Sequence, residues 1–76
     1  MYGARALTAA RRTAYLEYLR SCLRQQRPPA PEVVEVARTD LQADGSLIAL
    51  QIRSTEEQLS MLGMLHLPRA APIAVG

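Results

Sequence analysis

At 76 residues and a formal net charge of +2, the chain has room for one small domain. Such a domain buries only about 60% of the surface its unfolded form exposes and is marginal by itself. A single cysteine, Cys22, excludes an internal disulfide, and with a single histidine, His66, falls short of the four ligands of a structural zinc site unless several carboxylates join. No run approaches the roughly eighteen apolar residues of a membrane span.

The remaining remedy for a marginal domain is association with another chain. A lone thiol favours a reducing compartment, so the expected location is the cytoplasm. All nine cations are arginine, the usage of a GC-rich genome, and size and composition together suggest a bacterial or phage source. The acid-free start MYGARALTAARRTAY has the composition that an organellar transit segment can have, the lesser reading here. No secretory signal fits, because Arg11 and Arg12 are followed by Thr13, Tyr15, Glu17 and Tyr18 rather than by an apolar run.

From Thr8 to Gln26 there is no proline or glycine, and the spacing predicts a long helix. Tyr15, Leu16, Tyr18, Leu19, Cys22 and Leu23 fall on one side, with Glu17, Arg20, Ser21, Arg24 and Arg27 on the other. The prolines of RPPAPE end it and form a stiff extended connector over 28–31. Residues 32–53 then read as a β-hairpin. VVEV and SLIALQIR are rich in β-branched residues, Ile48, Leu50 and Ile52 alternate at period two, and Asp44-Gly45 is a favoured hairpin turn. In that register Leu41 faces Ile48 and Ala37 faces Ile52.

A rival reading takes Pro31 as the first residue of a helix, with Val33, Val36, Ala37 and Leu41 at helical spacing. The last helix is expected over about 55–66, opened by a capping box between Ser54 and Glu57 and closed before Pro68. Residues 68–76 form a small, proline-broken tail that either adds an edge strand or dangles. The expected fold class is therefore α+β: a long N-terminal helix, a β-hairpin and a short C-terminal helix in one domain. The alternative is a mostly α, helix-turn-helix-like chain.

On a helical wheel Leu59, Leu62 and Leu65 cover one side of the last helix, while Met61 and Met64 extend toward its back. A helix apolar nearly all round is ordinarily buried on more than one side, and so small a fold has little to cover it with. The alternative is that this segment is the core of a monomer. As an association surface, flexible methionines suit irregular partners. The expected interface comprises Tyr15, Tyr18, Leu19, Cys22, Leu59, Met61, Leu62, Met64 and Leu65, used for a homodimer and for docking another protein.

Arg20, Arg24 and Arg27 lie at i, i+4 and i+7, with Arg12, Arg11 and Arg5 upstream, so Arg12, Arg20, Arg24 and Arg27 are candidate phosphate contacts for a DNA-binding regulator. The plainer reading is the solvated side of an amphipathic helix, with Glu17 pairing Arg20. Cys22 reads as a small core residue and His66 as a helix-end or rim residue; no catalytic signature, metal site or cofactor motif is expected. The sequence thus points to a small non-catalytic interaction module or regulator, with a DNA-binding regulator as the alternative.

Overall fold

The computed structural model describes residues 2–41 and 44–66, with side chains described from residue 8 onward. Three helices succeed one another in chain order: α1 (Tyr2–Gln25), α2 (Pro31–Asp40) and α3 (Leu47–Met61). Among the described residues there is no strand, so the α+β hairpin fold is incorrect and the mostly α alternative fits. The expected tail over 68–76 lies outside the described residues.

The hairpin fails because both of its arms are amphipathic at helical period as well. In α2 Pro31 occupies the first helical turn, where its missing N–H costs nothing, and Val34 and Ala37 are buried with Leu41 packed against them. Two of the four inward positions of the helical alternative drawn from sequence differ, since Val33 and Val36 are exposed and Val34 is buried in their place. In α3 the inward stripe is Ile48, Ile52, Thr55 and Leu59, at i, i+4, i+7 and i+11. Leu50, which completed the alternating pattern, faces solvent instead. Asp44-Gly45 does form a turn, but one that leads into a helix: Asp44 Oδ1 accepts from the Ser46 amide at 3.0 Å, and Gly45 adopts φ 76°.

Helix α3 begins eight residues before the position expected from Ser54. Ser46 is its N-cap, with the hydroxyl oxygen accepting from the Ala49 amide at 3.1 Å. No glutamate stands at the third position after it, so the capping box at Ser54 was the louder sequence signal. The helix ends at Met61 instead of about residue 66, and Gly63 just beyond it turns the chain. Gly63 takes φ 74°, its amide donates to the Ser60 carbonyl at 2.9 Å, and the Met64 amide donates to the Leu59 carbonyl at 2.9 Å. This is the left-handed Schellman ending that glycine favours. Helix α1 ends in the same way, with Gln26 at φ 54°.

The core lies where α3 packs along α1 and α2 closes the side. Leu19 and Leu59 are both 0% exposed and sit at its centre, surrounded by Tyr15, Leu16, Cys22, Val34, Ala37, Ile52 and Leu65. Tyr18 anchors the proline connector, its hydroxyl oxygen accepting from the Ala30 amide at 2.7 Å.

Candidate functional site

With α1 against its inner side, α3 leaves a row of residues pointing the opposite way. Leu47, Leu50, Ser54, Glu57 and Met61 recur at spacings of three and four, so they stack along one outer stripe. All five are exposed: Leu47 by 71%, Leu50 by 54% and Met61 by 86%, with Leu62 also bare at the helix end. Apolar residues thus occupy both ends of the stripe, with Ser54 and Glu57 between them. Arg53 and Gln51 flank it, and neither Arg53 nor Glu57 has an ion-pair partner among the described residues.

The interface residues expected from sequence divide between core and surface. Tyr15, Leu19, Cys22, Leu59 and Leu65 are buried inside the fold, and Tyr18 and Met64 are half-buried against it. Met61 and Leu62 remain outside. Sequence reasoning missed Leu47 and Leu50, because as strand residues they were assigned to a hairpin; the heptad spacing from Leu47 to Met61 was the signal that would have found them.

A second apolar feature is an open groove of about 640 Å³ between the connector and the segment after α3. Pro28, Pro29, Pro31, Val34, Met64 and Leu65 form its walls, with Glu32, Glu35, Arg38 and His66 at the rim. Arg38 closes one end by donating to the His66 carbonyl at 3.3 Å.

The arginines also divide. Arg11 pairs with Asp40, and Arg12, its side chain only 13% exposed, pairs with Asp44 at 2.7 Å. The first bond ties α1 to the C-terminal end of α2 and the second to the turn before α3, so Arg12 is engaged within the fold. Arg20, Arg24 and Arg27 are exposed and have no ion pair among the described residues, and Glu17 makes none with Arg20. Arg20 and Arg24 border a shallow hollow of about 470 Å³ floored by Leu23. The side chain of Arg5 lies outside those described.

Two titrations are displaced by the packing. The Tyr15 hydroxyl donates to Glu56 Oε2 at 2.8 Å; burial, then this bond to a carboxylate, pushes the phenol well above its usual range. The Ser46 amide first, and the Arg12 guanidinium second, lower the Asp44 carboxyl from 3.8 to about 2. Both groups serve tertiary contacts. Cys22 is buried in the core and His66 is exposed beyond α3, with no hydrogen bond between them. Among the described residues no three metal-ligating side chains gather, and no helix is long and apolar enough to cross a membrane. No family model, curated protein or solved structure matches the chain.

Proposed function

We propose that the chain is a small non-catalytic interaction module of the cytoplasm that docks through the outer face of α3. The supporting observation is the exposed row Leu47, Leu50 and Met61 on the side of α3 turned away from the core. Fully burying a large apolar side chain contributes about 1.5–3 kcal/mol. Covering the exposed parts of three such residues therefore adds an amount comparable to a large share of a small domain's stability, which is about 5 kcal/mol at the low end. The test is capture from the source cell with the wild-type chain and with Leu50→Glu. A partner retained by the first and lost by the second supports docking at this face; a partner retained equally by both refutes it.

A second reading is a DNA-binding regulator, favoured by the exposed guanidiniums of Arg20 and Arg24 on one edge of α1 and of Arg27 just past its left-handed end. Three phosphate contacts would lower duplex affinity by about 40-fold between 50 and 200 mM salt. Absence of measurable duplex binding at the lower salt rejects this reading.

A further inference from the structure

The outer stripe of α3 is complementary to itself in one orientation only, and this names its occupant. If two copies of α3 lie side by side in parallel, each stripe residue meets its own counterpart, and Glu57 is set against Glu57. Like charges placed directly opposite oppose association. If the copies run antiparallel, with Leu50 of each against Met61 of the other, Ser54 of each faces Glu57 of the other. A hydroxyl then meets a carboxylate, and Arg53 of one copy comes beside Glu57 of the next. Both members of this charge pair are exposed, and neither has an ion-pair partner within its own chain among the described residues. The two apolar ends of the stripe cover each other, and the polar centre finds polar partners.

We propose that the chain forms a two-fold symmetric dimer through antiparallel pairing of α3, in the register that sets Leu50 against Met61. The proposal rests on the docking reading above and adds the identity of the partner, a second copy of the same chain. Helix α3 has 15 residues, a length of about 22 Å at 1.5 Å per residue. One helix pair of that length buries less than the roughly 800 Å² per partner of a standard interface, so the expected dissociation constant is micromolar. The association is reversible, set by chain concentration.

Light scattering over a dilution series spanning about 1 to 500 μM is expected to show monomer passing to dimer. Leu50→Glu and Met61→Glu are both expected to remain monomeric with unchanged helical circular dichroism, because both residues are exposed. Arg53→Glu and Glu57→Arg are each expected to weaken the homodimer about tenfold through two lost pairs, and an equimolar mixture to restore association through two Glu–Arg pairs.

Orientation is read by cysteine cross-linking. Leu50→Cys mixed with Met61→Cys is expected to give a disulfide-linked dimer, and each alone to give none. Identical positions sit about 16 Å apart along the pair in this register, beyond the roughly 7 Å limit of a disulfide. A wild-type chain that is monomeric throughout, a dimer insensitive to both glutamate variants, or cross-linking of Met61→Cys by itself overturns the proposal. In the monomeric case, capture of another protein that Leu50→Glu abolishes leaves the docking reading standing, so the two claims fail separately.

Discussion

At the scale of single residues, the strained positions are the ones whose alteration has a defined sign. Gln26 ends α1 at φ 54°, a left-handed conformation that costs a residue with a Cβ about 1 kcal/mol and costs glycine little. Gln26→Gly is therefore expected to stabilise the fold by about 0.5–1 kcal/mol, measured as a shift of the urea midpoint. Asp44 carries a pH signature. Its folded carboxyl titrates near 2 against 3.8 when unperturbed, so its contribution is complete above about pH 4 and is lost as pH falls toward 2. Thermal midpoints at about pH 5 and pH 2 are expected to differ less for Asp44→Asn than for the wild type. Tyr15 has the opposite sign: its raised phenol contributes below pH 10.0, the unperturbed value, and the contribution is lost as pH rises above it. In an alkaline absorbance titration the Tyr15 phenolate is expected only as helical signal disappears, and Tyr15→Phe removes that late component.

At the scale of elements, α3 has two faces with opposite responses to truncation. Leu59 is fully enclosed while Met61, two residues on, is 86% exposed. Leu59→Ala is expected to cost about 2–5 kcal/mol, enough to unfold so small a chain, whereas Met61→Ala changes the monomer's stability by less than about 0.5 kcal/mol. The contrast separates the residues that hold the fold from those available to a partner. The start of the same helix depends on Ser46, and loss of its cap in Ser46→Ala is expected to cost about 1 kcal/mol, read by chemical denaturation.

At the scale of the whole molecule, α1 serves as the common strut. It carries the Arg11–Asp40 and Arg12–Asp44 ion pairs, the Tyr15–Glu56 bond to α3 and the Tyr18 bond to the connector. These polar ties are spread along one helix, so each later segment is tethered to α1 separately. The consequence for function is an allocation of side chains. Tyr15, Tyr18, Cys22 and Arg12 are used to assemble the monomer, and Leu47, Leu50, Met61, the α1 residues Arg20 and Arg24, and Arg27 past its end are left facing outward.

The sequence alone located the body of the first helix, though not its start at Tyr2, the proline break after it and a turn at Asp44-Gly45 that leads into a helix instead of a hairpin; the apolar excess it placed around Leu59 to Leu65 is divided, with Leu59 and Leu65 buried and Met61 and Leu62 exposed. Each is a local property, carried by the absence of breakers, the ring of proline, the freedom of glycine or plain composition. What local pattern left open was whether SLIALQIR is strand or helix, since Ile48, Leu50 and Ile52 satisfy period two while Ile48, Ile52, Thr55 and Leu59 satisfy the helical period. Packing against α1 decided it: a continuous helix from Leu47 buries Ile52 and Leu59 on the same strut, and Gly63 ends it. That decision also turned Leu50 outward. Which apolar residues belong to the core and which to a surface is set by the direction from which α1 arrives, and the order of residues along α3 does not contain that direction.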